Sequence, residues 1–211
     1  MSALSKMITD HPPLAACKED ITQAFLQLKA TFQGGSKVLV CGNGGSAADS
    51  EHIVGELMKG FMLKRKLPKD ARARIETSAG IYGEYIADNL QGALPAISLV
   101  SQSAIISAFA NDVAADMVFA QQVYGYGKPG DCLIGLSTSG NAKNVVYAMH
   151  TAKAIGLATI ALTGQCGGML KDICDITICA PSDVTPKIQE YHLPIYHTLC
   201  MMIESAFFKT L

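Results

Sequence analysis

The stretch that decides the fold is KVLVCGNGGSAADSEHIVGEL, residues 37–57. Its first five residues form a short apolar run rich in valine, which predicts a buried parallel strand. Glycines follow, and then Ser46, which we expect to cap a helix over residues 46–59. The stretch therefore predicts a strand, a glycine loop and a helix in direct succession, as at the start of a parallel α/β sheet.

The same alternation continues along the chain. Four more apolar runs have the length of buried strands: residues 93–99, 132–136, 158–163 and 175–180. Apolar residues at helical spacing mark four further segments: 17–33, 102–124, 141–155 and a long one from Pro186 to the C-terminus. Pro194 lies inside the last of these and is expected to kink it. The order of elements predicts one parallel sheet covered by helices on both faces.

The composition limits the classes of function. The chain has 211 residues, 17 of them basic and 18 acidic, so no net charge attracts it to nucleic acid or to a membrane surface. We find neither a run of about 18 apolar residues nor the apolar core of a secretory signal. Seven cysteines without a CxxC pair are typical of reduced thiols. We therefore expect a cytoplasmic protein with no nucleic-acid or membrane partner.

The apolar residues also predict self-association. Apolar residues make up 49% of the chain and charged residues only 17%. The apolar stripes on 17–33 and 197–208 exceed what a chain of this size needs to cover its own sheet, and large exposed apolar patches are rare on monomers. We therefore expect a homo-oligomer.

One connection is much longer than those usual in compact domains. It runs over residues 59–92, and its first half, KGFMLKRKLPKDARAR, holds seven basic residues and one acidic residue. Two interpretations stay open for it. It is either a solvated excursion or a lid whose cations attract an anionic ligand.

Two predicted strand ends carry groups that suit a phosphate. GNGGS, residues 42–46, would bring backbone N–H groups close to an anion, and STSGN, residues 137–141, adds hydroxyls at the start of a helix. Ligands bind beyond the carboxyl ends of parallel strands. Each loop alone is also compatible with an ordinary helix start. Neither has a Walker or GxGxxG pattern, which disfavours a nucleotide.

Polar side chains on two predicted helices could complete such a site. His52 and Glu56 are four residues apart and share a helix face. The pair could bind a metal or transfer protons, and an exposed ion pair is equally consistent with the spacing. Gln189, His192 and His197 are polar residues on an apolar helix, so they need partners. If the two helices pack together, these partners could be His52 and Glu56.

Six motifs, in order, resemble the SIS (sugar isomerase) family, and within it the bacterial phosphoheptose isomerases: GNGGSAADSEH…E, PAISL, AFANDV, STSGNAKN, LTGQCGGML and TPKIQEYH…H. The resemblance covers nearly the whole chain except 60–92, an insertion that ordinary members lack. It implies one SIS domain over residues 1–211 with a three-layer flavodoxin-like fold, a five-stranded parallel sheet and long N- and C-terminal helices. It also implies a homotetramer with sites between subunits, which converts sedoheptulose 7-phosphate to a heptose 7-phosphate for surface polysaccharides.

The resemblance implies a role for each matching residue. Glu56 and His197 would be the catalytic proton-transfer pair. One zinc per subunit would be held by His52, Glu56, Gln189 and His197. The substrate would be bound by Asn43, Gly44, Gly45, Ser46, Asn111, Asp112, Ser137, Thr138, Ser139 and Gln189. No nucleotide or redox cofactor is implied.

The helical rise restricts how the zinc could be shared. Gln189 and His197 are eight residues apart, so a straight helix separates them by about 12 Å. One zinc with ligands at about 2 Å cannot take both from such a helix. Either the helix bends, or the two ligands come from different protomers, which we favour.

Departures from the family pattern leave alternatives open. Ala142 stands where the family commonly has another phosphate-binding serine, and Gly60 stands where a basic residue usually follows the helix. One alternative is an isomerase of a different phosphosugar, selected by the basic insertion. Another is a non-catalytic regulator that binds a replication initiator. The regulators lack the residues that match Glu56 and His197, so the enzyme is favoured.

Overall fold

The structure, a computed structural model, describes residues 2–208. Within this range the strands are β1 (Val38–Gly42), β2 (Ala96–Ser98), β3 (Cys132–Leu136), β4 (Ala158–Thr163) and β5 (Ile176–Cys179). All of them pair in parallel, in the order β2-β1-β3-β4-β5. This flavodoxin-like order places a topological switch point between β1 and β3. The predicted α/β fold with a five-stranded parallel sheet is confirmed.

Ten α-helices are described around the sheet: α1 (Ala3–Asp10), α2 (Lys18–Gln33), α3 (Gly45–Met58), α4 (Lys69–Ser78), α5 (Gly83–Asn89), α6 (Ser103–Phe109), α7 (Val118–Tyr126), α8 (Lys143–Ala154), α9 (Gly168–Ile173) and α10 (Thr185–Phe207). The helix expected over 102–124 is divided, because the π-helical turn Ala110–Ala114 and the 3₁₀ turn Ala115–Met117 separate α6 from α7. Helix α10 continues through Pro194, so the proline does not end it.

The alternation of side chains along β1 builds two cores. Val38 and Val40 point into a core shared with α1, α2, α3 and α10. Leu39 and Cys41 point to the opposite face, into a core shared with α7, α8 and α9. All four side chains are fully buried. The sheet is therefore the middle of three layers, as a parallel sheet requires.

The apolar stripes that predicted self-association are covered within the single chain. Ile21 and Leu28 of α2, and Leu199 and Ile203 of α10, are buried in the first core. The stated reason for expecting an oligomer was therefore wrong. Several of the most exposed large apolar side chains lie elsewhere: Ile81, Tyr82 and Tyr85 before and within α5, and Val113 and Tyr124 on the π-helical turn and α7.

The helical stretch 103–126 has the length and apolar composition of a membrane-spanning helix, which the sequence had not been expected to contain. Its non-α turns interrupt it, and its α7 part packs on the sheet through Phe119 and Val123. Little of the remainder is buried within this chain. The exposed part is therefore an apolar surface of a folded α/β domain.

The basic connection after α3 forms the helical pair α4 and α5. Its arginines are occupied by internal partners. Arg65 is buried on Glu204, Arg72 pairs with Glu76 and Asp88, and Arg74 pairs with Asp70. These pairs oppose the lid interpretation for the three arginines, because their charges are already neutralised.

Candidate active site

The loops after β1 and β3 meet at the switch point. The side chain of Asn43 donates to Oδ1 of Asn144, and the side chain of Asn144 donates to Oδ1 of Asn43, each at 2.9 Å. Asn144, at the end of STSGNAKN, was not predicted as a site residue. Its position on the first turn of a helix after a strand end is the signal that could have identified it. The two predicted phosphate loops therefore lie side by side.

Helix α3 begins earlier after the β1 loop than expected. Gly44 has φ of 56° and occupies the N-cap position, so α3 begins at Gly45. Ser46 is therefore not the N-cap that we predicted; it is the second residue of the helix and is buried. A Cβ atom on Gly45 would lie 2.7 Å from Nε2 of Gln189, so a larger residue here would displace the end of that side chain. Gln189 thus covers the start of α3.

The β3 loop uses its own hydroxyls to order its backbone. Oγ of Ser139 accepts from the N–H of Asn141 at 3.2 Å, and Oγ of Ser137 accepts from the N–H of Ala142 at 3.5 Å. Ser137 is buried and Thr138 is partly buried. Each hydroxyl accepts in these bonds, so its proton stays available to donate to an anion.

Helix α10 packs beside the middle and end of α3 and brings three predicted residues together: His52, Glu56 and His197. Nε2 of His52 lies 3.3 Å from Oε1 of Glu56 and 3.4 Å from Nε2 of His197. The other carboxylate oxygen of Glu56 accepts from Nζ of Lys59 at 2.9 Å. Glu56 is only 8% exposed. The two residues predicted to transfer protons, Glu56 and His197, therefore both contact His52 within a single chain.

Hydrogen bonds that run from Asp49 through Tyr196 orient His52. Neither Asp49 nor Tyr196 was predicted from the sequence as a site residue. The Tyr196 hydroxyl donates to Oδ1 of Asp49 at 3.1 Å and lies 3.0 Å from Nδ1 of His52. The tyrosine hydroxyl therefore links Nδ1 of His52 to Asp49 and leaves Nε2 of His52 facing Glu56 and His197. Asp49, His52 and Glu56 share a helix face at i, i+3 and i+7, a spacing that could have identified Asp49.

Burial shifts the pKa values of three residues around His52: His197, Tyr196 and Asp49. It lowers the pKa of His197, and His52 lowers it further, while Glu56 acts in the opposite direction. Burial and the nearby Asp49 carboxylate raise the pKa of Tyr196, which therefore stays a hydrogen-bond donor. Burial also raises the pKa of Asp49, despite its hydrogen bond from Tyr196. His197 is therefore held as a neutral imidazole close to neutral pH.

Three predicted site residues lie apart from the His52 group. Gln189 contacts Gly45, about 12 Å along α10 from His197. Asn111 and Asp112 lie on the π-helical turn after α6, where the amide of Asn111 donates to Asp112 at 2.8 Å. Hydrogen bonds from these two to other predicted site residues are absent from the described part of the chain.

The donor set was tested for its fit to a zinc ion. Two donors about 2.0–2.1 Å from a tetrahedral zinc lie about 3.3–3.4 Å apart, as His52 does from Glu56 and from His197. Within residues 2–208, however, no three such side chains form a complete metal site. Three of the four predicted ligands therefore lie near one another without forming a metal site as they stand, and Gln189 is not among them.

Comparison with known proteins gives the family of the chain. Residues 86–164 match the model of the SIS domain. The chain is 36% identical to the phosphoheptose isomerase of Trichlorobacter lovleyi over 98% of its own length and 95% of the relative. It is 38% identical to that of Akkermansia muciniphila over 90% of this chain and 87% of the relative.

Two solved structures have the same fold over nearly the whole chain. The phosphoheptose isomerase of Neisseria gonorrhoeae superimposes with a TM-score of 0.74 and 29% identity, covering 95% of this chain and 94% of the other. That of Francisella tularensis also gives 0.74, with 30% identity over 97% and 100%. The chain therefore belongs to the phosphoheptose isomerase family of SIS-domain proteins.

Proposed function

We propose that this protein isomerises sedoheptulose 7-phosphate to D-glycero-D-manno-heptose 7-phosphate. The observation that carries the proposal is the contact of Glu56 and His197 with His52, beside two loops at the switch point of the sheet. Relatives that cover nearly the whole chain are named phosphoheptose isomerases. The product would serve the synthesis of surface polysaccharide precursors in the cytoplasm.

The reaction needs groups of the kind present here. Converting this ketose to an aldose moves a hydrogen from C1 to C2 through an enediol, while a proton passes between the oxygens on the same two carbons. Glu56 is the carboxylate base that takes the proton from C1 and returns it to C2. His197, held neutral, donates to the developing oxyanion and takes a proton back. No nucleotide or redox cofactor is needed, because the reaction has no net oxidation.

The two loops would hold the phosphate end of the substrate. In this proposal Ser46 and the hydroxyls of Ser137, Thr138 and Ser139 surround the phosphate, with backbone N–H groups of Gly44 and Gly45 at the start of α3. The amide of Asn43 and the turn at Asn111 and Asp112 would contact the sugar chain. Anchoring the phosphate fixes the distant reacting carbons against Glu56.

Zinc is the metal that these donors suit. His52, Glu56 and His197 would hold it through one carboxylate and two imidazole nitrogens, and Gln189 would join them only by a rearrangement or from another subunit. When bound, the ion would supply Lewis-acid polarisation of the substrate oxygens. Elemental analysis of protein purified without chelators tests this assignment, with one zinc per chain expected.

A panel of phosphosugars tests the proposed activity. The purified protein is mixed in turn with five-, six- and seven-carbon ketose phosphates, and interconversion is followed by NMR. We expect turnover to be fastest for sedoheptulose 7-phosphate. Faster turnover of a shorter sugar would assign a different substrate. If every sugar stays unchanged although the protein binds it, the chain is a non-catalytic relative of the enzyme.

The serines of the β3 loop provide a prediction about binding. Replacing Ser137 or Ser139 with alanine should weaken binding of the phosphosugar by on the order of 1.5–3 kcal/mol, because each change removes one donor to a charged acceptor. Calorimetry in a Glu56→Gln background measures binding without turnover. Ser78→Ala, at an exposed serine of α4, is the control and should bind normally. Unchanged binding in both loop variants would show that the STSGN loop begins a helix and does not bind the phosphate.

The exposed apolar surface provides a prediction about assembly. Ile81 is 90% exposed, Tyr85 73% and Tyr124 69%, which a monomer would have to keep in water. We propose that the whole chain is one SIS domain that associates as a tetramer with sites completed between subunits. Light scattering at micromolar concentration should give the mass of four chains. A stable monomer would contradict both the assembly and the shared sites.

A further inference from the structure

The last turn of α3, which carries Glu56, is held from inside the protein by a buried cation. Arg65 is 1% exposed, and among the residues described it is the one lysine or arginine that is buried. Its Nη2 donates to the backbone carbonyl of Glu56 at 2.8 Å, and its Nη1 donates to the carbonyl of Leu57 at 2.6 Å. A helix leaves these carbonyls without partners of its own at its C-terminal end, and that of Leu57 also accepts from the N–H of Leu94 at 3.0 Å.

The guanidinium is itself fixed by a buried carboxylate on α10. Nε of Arg65 donates to Oε1 of Glu204 at 2.8 Å, and Glu204 is 1% exposed. Glu204 also accepts from three successive backbone N–H groups, those of residues 61–63, at 2.7–3.1 Å. The ring of Phe208 covers the guanidinium at 4.7 Å. Arg65 therefore has little freedom to leave the helix end.

The physical chemistry of this pair points to a role in geometry rather than in stability alone. Burying an ion pair costs desolvation that apolar side chains of similar volume avoid. The pair instead fixes the orientation of the groups it contacts, because the planar guanidinium can donate to two carbonyls and a carboxylate at fixed angles. A cation at the C-terminus of α3 also complements the helix dipole. One of the two carbonyls that it fixes belongs to Glu56, the residue that faces His52.

We infer that Arg65 and Glu204 are positioning residues for Glu56. They hold the backbone of the last turn of α3, so that the Glu56 carboxylate stays at His52 and at the reacting carbons. The inference rests on the proposed role of Glu56. It also assigns a function to one cation of the long basic connection: it orients the base from behind and does not bind the substrate.

Arg65→Lys tests the inference, because lysine keeps the charge but cannot reach all three acceptors. Well below its melting temperature, the folded variant should lose about 10- to 100-fold in kcat, the scale of a small misplacement of a catalytic group, with KM changed less than about twofold. Arg72→Lys, in the same connection but only partly buried, is the matched control and should keep wild-type kinetics. A folded Arg65→Lys protein with wild-type kcat would overturn the inference.

A double-mutant cycle separates positioning from general loosening of the fold. If Arg65 acts through Glu56, adding Arg65→Lys to Glu56→Gln should lower the residual activity no further. An equal loss in both backgrounds would assign Arg65 a structural role only. If Glu56→Gln alone keeps full activity, the proposed base is wrong, which is a different failure.

A second variant covers the case in which Arg65→Lys does not fold. The pair Arg65→Met and Glu204→Gln leaves no unpaired buried charge and keeps an acceptor for the N–H groups of residues 61–63, so it should fold. It leaves the Glu56 carbonyl without its donor, while the Leu57 carbonyl keeps the N–H of Leu94. We expect the same loss of kcat at unchanged KM. Wild-type kcat in this folded double variant would overturn the inference equally.

Discussion

Replacing Glu56 with glutamine is expected to lower kcat for isomerisation by at least about 100-fold, the usual scale for loss of a general base. The amide keeps the shape of the side chain and can still accept from Lys59, but it cannot take a proton from C1. Its backbone carbonyl still accepts from Arg65, so the fold should be retained. Phosphosugar binding, which we propose that the two loops provide, should change little.

The measurement is steady-state kinetics with circular dichroism as the check on folding. Glu19→Gln, at an exposed position in the first turn of α2, is the matched control and should have wild-type kinetics. Activity of Glu56→Gln within a few-fold of wild type would remove Glu56 from the chemistry. Loss of binding together with activity would instead indicate that Glu56 helps to shape the site.

Replacing His197 with glutamine is the second large effect expected, with kcat reduced by about 100-fold. Glutamine can place a nitrogen near the position of Nε2 but cannot exchange protons as an imidazole does. If His197 is also a ligand, zinc content measured in the same samples should fall. His150→Gln, on the exposed face of α8, is the control and should change neither quantity.

The contact with His52 explains why His197 is assigned this role. Its Nε2 lies 3.4 Å from that of His52, and it also packs against the rings of Tyr196 and Phe61. A His197→Gln protein that retains wild-type kcat and zinc would show that this histidine only fills space in the site. The proton transfers between oxygens would then need another residue.

Much of the fold followed from local patterns in the sequence. The strands at 132–136 and 158–163 occur at the predicted residues, because a buried parallel strand is a continuous apolar run. Helix α3 begins at Gly45 and not at Ser46, and its N-cap is Gly44, two residues before the cap expected at Ser46. Local sequence patterns predict which element forms more reliably than they predict its first and last residues.

The site was harder to predict, because its contacts depend on the packing of α10 against α3. The spacing of His52 and Glu56 gave their shared face, and the structure adds His197 to them. The support from Tyr196 and Arg65 could not be predicted, because a tyrosine and a basic run have no local pattern that distinguishes a buried partner from a solvated side chain. Arg65 was grouped with its exposed neighbours for that reason.

The most direct test of the account is whether the purified protein equilibrates the two heptose phosphates. Sedoheptulose 7-phosphate and D-glycero-D-manno-heptose 7-phosphate are supplied separately, and their ratio is followed by NMR with wild-type and Glu56→Gln protein. The account predicts that wild type brings both samples to the same ratio, while Glu56→Gln at equal concentration leaves them nearly unchanged over that time. Two samples that keep their starting sugars with folded wild-type protein would contradict it.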